Sequence, residues 1–348
     1  MNHLLTFNKT TRKWHMPIVA GITVGIPMLL GWYSDNMEAG KLASLAGLSI
    51  LYIQSNKLAE RMLLLMACCF GFMVCFTIGL LFSFSMVLAP IVLGFLAFGV
   101  HYSLHKLQLT KPPGNFFFII LASMAICIPF DLESIPTKVG YIAIGTMTTC
   151  VIGLIYSILT LKKENHIIIN HHKDEYTNVV ESIIFGFFIC ISLTIAYLLQ
   201  FDNPYWVPIS CLAVMQGATT QHTWHRAVQR IMGTLIGLGI TWLIVYTNPS
   251  PLFIVISIIV LQVVIEYFVV RNYAIAVIFI TILTIFLAES SGQLSQQINE
   301  AFLARLIDIL IGSIIGIIGG WILYHEKVHY YATLQRKKNY KIKKLNNK

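Results

Sequence analysis

Twelve apolar runs, each closed by a short polar break, set what this chain can fold into. They cover Trp14–Tyr33, Leu42–Gln54, Met62–Leu81, Met86–Ser103, Phe116–Phe130, Val139–Leu161, Ser182–Leu199, Trp206–Gly217, Ala227–Tyr246, Leu252–Val269, Tyr273–Leu287 and Phe302–Tyr324. A run of about 20 apolar residues carries one helix across the hydrocarbon core of a bilayer. Charged residues make up only 11% of the chain, against about 25% in a soluble domain. The pattern predicts an all-α polytopic membrane protein with twelve transmembrane helices. Leu42–Gln54 and Trp206–Gly217 fall short of the about 17 residues that an upright helix needs, so short or broken helices are expected there. The first run is of span length and no small-x-small cleavage site follows it, so it reads as a retained helix.

Loop charge tests the count. The net charge of +9 would suit a nucleic-acid partner if it were clustered on one face. Instead the basic residues sort into alternate breaks. Of the 24 Lys and Arg, all but Lys41, Lys138 and Arg305 fall in the breaks placed in the cytoplasm by a both-ends-inside arrangement or, as Arg230 does, in the first turn of the run that leaves one. A miscounted helix would invert every later break and spoil that sorting. The expected location is therefore the plasma membrane, multi-pass, with both termini cytoplasmic and the lipid bilayer, not nucleic acid, as the partner. The basic stretch 326–348 reads as an anchor on anionic lipid.

The polar stretch 162–178 divides the runs into two sets of six, giving a first membrane half 1–161 and a second 179–325. A shift of about 165 residues lays Leu42–Gln54 over Trp206–Gly217 and Arg61 over Arg226. This points to two six-helix repeats of the same orientation. All seven cysteines lie inside apolar runs without ligand spacing, and His166, His171 and His172 sit in the solvated divider. No phosphate-binding loop, metal motif or nucleophile set is present, so no cofactor, metal or catalytic residue is assigned.

The candidate site residues are those whose charge is costly at their depth. Arg226 and Arg230 lie one turn apart, on one face of the ninth helix, at the mouth of a span. His225 lies beside them. Gln216 and Thr220 flank the short eighth segment, whose broken ends would leave backbone groups to be met by protein or a water-filled cavity. Arg61 is the counterpart in the first half. Together these six form the expected anion site. Glu266, a carboxyl within the tenth run, is a candidate proton carrier, or a partner for Arg271 or Arg230. Arg305 and Asp308, at i and i+3, are expected to form a structural ion pair.

Asn203-Pro204-Tyr205-Trp206, then His225-Arg226-Ala227 and Arg230-Ile231-Met232-Gly233-Thr234 with Gly237, resemble the fusaric-acid-resistance-like family of membrane proteins. The likeness covers Ser182 to Leu287. That family includes bacterial exporters of aromatic acids, so the resemblance implies a secondary transporter exporting small organic anions, aromatic carboxylates first. The family is also distantly similar to plant aluminium-activated malate transporters, in which two six-span subunits surround an anion pore. By that analogy this chain is a monomer acting as an internal pseudo-dimer, with its pathway between the halves. A passive anion channel, and an intramembrane enzyme or scaffold of envelope assembly, remain the alternatives.

Overall fold

A computed structural model describes residues 10, 12–53, 57–107, 109, 111–160, 175–217, 219–247, 249–289 and 298–325. The divider at 162–174, with its three histidines, and the basic stretch 326–348 lie outside the described residues. All regular structure among the described residues is helical. The order is α1 (Met16–Tyr33), α2 (Met37–Gly47) with a 3-10 turn at Leu48–Tyr52, α3 (Leu58–Leu81), α4 (Leu88–Lys106), α5 (Phe116–Ile126) and α6 (Ile135–Thr160). Then come α7 (Glu175–Leu198), α8 (Trp206–Met215), α9 (Thr220–Val245), α10 (Pro251–Phe268), α11 (Tyr273–Glu289) and α12 (Ile298–Leu323). Eight of these helices are long and apolar enough to cross a bilayer; α5, α8 and α11 are apolar but shorter.

The helices are apolar on both faces, as lipid requires. In α3, Leu65, Phe72 and Phe76 are buried, while Leu63, Met66 and Phe70 are exposed on the opposite side. Exposed apolar surface of this extent belongs against hydrocarbon, so the chain is a multi-pass membrane protein.

Several helices begin earlier than their apolar runs. In α2 the side chain of Asn36 accepts from the Ala39 amide at 3.0 Å, which starts the helix five residues ahead of Leu42. In α9 the Thr219 hydroxyl accepts from the His222 amide at 3.1 Å and starts the helix seven residues ahead of Ala227. Both are side-chain caps that satisfy orphan amides, and hydropathy does not register them. α5 ends at Ile126, ahead of the expected Phe130. Pro129 explains this, because the residue before a proline is pushed out of the helical region.

Helix packing recurs. α1 packs on α2, α2 on α6, α3 on α5 and α6, and α4 on α5. Six helices later, α7 packs on α8, α8 on α12, α9 on α11 and α12, and α10 on α11. Two long seams join the first six helices to the last six, α4 on α7 and α1 on α10, and a shorter contact brings α5 to α8. Close approach depends on glycine at matching places. A methyl on Gly145 of α6 would run into the Ala43 carbonyl of α2. One on Gly312 of α12 would run into the Val207 carbonyl and the Ser210 side chain of α8.

Gly145→Val should therefore force α2 off α6. We expect a lowered thermal midpoint in detergent, equivalent to about 1–3 kcal/mol of overpacking. Gly140→Val, where a Cβ meets nothing within 4 Å, is the control. Equal midpoints for the two variants would contradict the packing.

Candidate functional site

The site grows from α8. This ten-residue helix is buried along its length from Val207 to Met215. At about 1.5 Å per residue it rises only about 15 Å, half of a hydrocarbon core of about 30 Å. Its ends therefore stop inside the protein, where polar groups collect.

At the C-terminal end, the Gln216 carbonyl accepts from Arg226 Nη1 at 3.2 Å, and Gln216 Nε2 donates to Asn115 Oδ1 at 3.3 Å. Asn115 lies just ahead of α5. Its loop is held by the Tyr52 hydroxyl, which donates to the Gly114 carbonyl at 2.6 Å. In mid-helix, Ser210 Oγ accepts from Arg230 Nη2 at 3.0 Å, while Arg230 Nη1 donates to the Tyr273 hydroxyl at 3.1 Å. Tyr273 opens α11 and clasps both arginines, since the Arg226 guanidinium lies 4.4 Å from its ring centroid. The clasp depends on Gly233, one turn beyond Arg230. A Cβ there would collide with the Ala274 carbonyl and Val277, so its absence lets the first turn of α11 press onto α9. Nε of Arg226 and of Arg230 is buried without a hydrogen-bond partner.

A cavity of about 1630 Å³ opens from these side chains. Among the described residues its walls carry Arg12, Lys13, Lys41, Arg61, Lys111, Arg226, Arg230 and Arg271, with two carboxylates, Glu181 and Glu266. Residues from both sets of six helices line it. Of the expected anion-site residues, Arg226, Arg230, His225, Gln216 and Arg61 all face this one space. Arg61 is itself buried, with Nη1 donating to Thr160 Oγ1 at 3.2 Å. Thr220 does not join them. It is exposed at the first position of α9 and off the cavity wall, and its neighbour Thr219 lines the space instead.

Two expected pairings are corrected. Glu266 pairs with neither Arg271 nor Arg230. Its Oε2 lies 2.8 Å from Nη1 of Arg12, in the segment before α1, and its Oε1 accepts from Gln262 Nε2 at 3.3 Å. Arg271 instead lies 3.8 Å from the Tyr267 ring centroid. The packing of α1 on α10 brings Arg12 and Glu266 together from 254 positions apart, a separation that no local spacing reveals. Arg305 and Asp308 form no ion pair either. The Arg305 guanidinium stacks on Trp206, 3.1 Å from the ring centroid, and Nη2 donates to Thr284 Oγ1 at 3.4 Å. Asp308 Oδ1 is buried without a hydrogen-bond partner. The broad aromatic face of Trp206 holds the guanidinium away from its neighbour on the same helix. Tyr273, Ser210 and Asn115 were not singled out in the sequence. Tyr273 carries one usable signal, its place as the first residue of the run that follows Arg271-Asn272.

Fold and site together define a multi-pass helical membrane protein with a cation-lined central cavity. Residues 189–319 match the family described as fusaric acid resistance protein-like. The match lies in the second half of the chain, which is to that extent similar to the family. Among curated proteins it is similar to the uncharacterized membrane protein YvaC of Bacillus subtilis (strain 168), at 38% identity over 126 residues. That stretch is 36% of this chain and 20% of the relative, so the match spans about a fifth of the relative's length. No solved structure matches.

The Arg12–Glu266 pair is testable on its own. Glu266 is 4% exposed at its side chain, so Arg12→Ala leaves a buried carboxylate without its cation. The expected loss is about 3–5 kcal/mol, read as a lowered thermal midpoint in detergent. Adding Glu266→Gln to Arg12→Ala should restore most of it. A midpoint unchanged by Arg12→Ala would show that the pair carries no weight.

Proposed function

We propose that this chain is a secondary transporter that exports small organic anions, aromatic carboxylates foremost, across the bacterial plasma membrane. The observation that carries the reading is the charge imbalance of the cavity wall, eight cationic side chains facing two carboxylates. One of those carboxylates, Glu266, is already held by Arg12. Arg230 is buried on this wall, and among the described residues no carboxylate lies within ion-pair distance of it; a buried cation so placed is costly in a membrane unless an anion joins it. Arg230, Arg226 and Gln216 then form the binding site, with Tyr273 and Ser210 fixing the guanidiniums and Arg61 and His225 adding to the field. The apolar part of the wall, from Phe116 and Phe117 to Ile209 and Ala213, suits an aromatic or aliphatic body. The family's name, resistance to fusaric acid, agrees with an organic acid as cargo.

The same proposal reads residues 1–161 and 179–325 as two six-helix repeats of one orientation, twelve spans with both termini cytoplasmic. Recurrence of the same packed pairs six helices on supports it, as do the matching close contacts at Gly145 and Gly312. The pathway then runs between the repeats, where the cavity draws on both. Glu266 is the candidate proton carrier, and a proton reaches it only after Arg12 lets go.

Export of benzoate from cells making the chain is the direct test. Arg230→Ala is expected to cut it at least about tenfold, the loss of one charge-assisted hydrogen-bonding group, with normal insertion in the membrane. Unchanged export by that variant would falsify the site. Voltage-driven benzoate current without concentrative export would replace the carrier by a channel.

A further inference from the structure

α8 touches a third guanidinium that the proposed site does not use. Arg226 meets the helix at Gln216 and Arg230 meets it at Ser210. Arg305 meets it at Trp206, its first residue, which lies one turn, about 6 Å, from Ser210. Arg305 is 7% exposed. Its Nε and Nη1 are buried with no hydrogen-bond partner, and only Nη2 is satisfied, by Thr284. No carboxylate among the described residues lies within ion-pair distance of Arg305. Asp308, one turn away on α12, leaves its own Oδ1 without a partner instead of turning to it. Among the described residues no ion pair holds this charge; Arg305 lies behind Trp206 and Thr284, the two groups that touch it, and both of them line the cavity. Tyr205 and Asn203 line it there too.

We propose that Arg305 forms a second anion-binding station, at the N-terminal end of α8, which takes a carboxylate carrying an aromatic ring. The carboxylate accepts a charge-assisted hydrogen bond from Nη1, one of the two nitrogens left open. The ring packs against the edge formed by Tyr205 and Trp206, whose ring centroids are 4.9 Å apart. This rests on the transport reading above and deepens it. A cargo leaving Arg230 finds the next cation one helical turn along α8, behind Trp206 and Thr284 of the wall. Asp308 lies beside the station without neutralising it, so it weakens the hold on an anion and favours release.

The test uses the full chain in detergent with Trp206 as its one tryptophan, and 4-bromobenzoate, a heavy-atom quencher of indole, as the probe. A chain keeping only Trp321, which is 56% exposed on the helix exterior, sets the quenching that comes from partition alone. Saturable quenching of Trp206 above that level is expected. Arg305→Gln should weaken it at least about tenfold, as loss of a charge-assisted pair does, and Arg230→Gln should leave it within about threefold. Asp308→Asn should leave the affinity unchanged or raise it. Arg305→Lys, which keeps the buried cation but not the planar face stacked on Trp206, should also weaken it, and serves if the Gln variant does not fold. Saturable quenching that survives both Arg305 substitutions overturns the second station. So does quenching abolished by Asp308→Asn, since Arg305 would then serve Asp308. Quenching lost with Arg230→Gln alone also overturns it, leaving the first site intact. Total binding of labelled benzoate separates the two proposals. Binding without quenching of Trp206 removes only the second station, and no binding at all removes the transport reading.

Discussion

Three guanidiniums along one buried helix are the constraint around which this molecule is arranged. α8 is too short to reach both faces of a bilayer and is covered by protein along its length, so it packs as a core element. Arg226, Arg230 and Arg305 touch it at Gln216, Ser210 and Trp206, and among the described residues none of the three has a carboxylate in ion-pair distance. Hydrogen bonds and aromatic faces hold them, which fixes their direction without cancelling their charge. On the transport reading proposed above, an anion from outside completes this arrangement.

The surrounding packing explains how such a cluster is held. α12 reaches α8 because Gly312 has no side chain, and α11 reaches α9 because Gly233 has none. Each contact delivers one part of the site: α12 brings Arg305, and α11 brings Tyr273 to clasp Arg226 and Arg230. In lipid no hydrophobic force drives helices together, so close backbone approach and polar contacts do that work. The Arg12–Glu266 pair behaves differently. There the charge is cancelled within the protein, across the α1–α10 seam. One cation is therefore spent on structure, while Arg226 and Arg230 face the cavity.

The fold was legible to the extent that it follows from apolar runs. Among the described residues twelve helices answer to the twelve runs, eight of them long enough to cross a bilayer, and the shortness of α8 shows directly in Trp206–Gly217. The starts of α2 and α9 were not legible, because Asn36 and Thr219 extend those helices through polar residues. Arg226 and Arg230 were legible because two cations entering a span are rare enough to stand out. Their partner Tyr273 was not, since it lies 43 positions beyond Arg230 and an aromatic residue at the start of a span is ordinary. Spacing misled at Arg305 and Asp308. The i, i+3 rule describes a helix with a free surface, and here Trp206 of another helix takes the guanidinium. Only the tertiary packing decides which neighbour wins.

The central claim is that the cavity beside α8 carries a positive potential open to small anions. Gln229 lines that cavity on α9, between the two arginines in sequence. In a chain without its native cysteines, Gln229→Cys can be modified by thiol reagents of equal size and opposite charge. A field of this kind raises the local concentration of the favoured sign by about tenfold or more. The anionic methanethiosulfonate should therefore react at least about tenfold faster than the cationic one, relative to their rates with a free thiol, and benzoate should slow it. Equal relative rates, or faster reaction of the cationic reagent, would contradict an anion cavity.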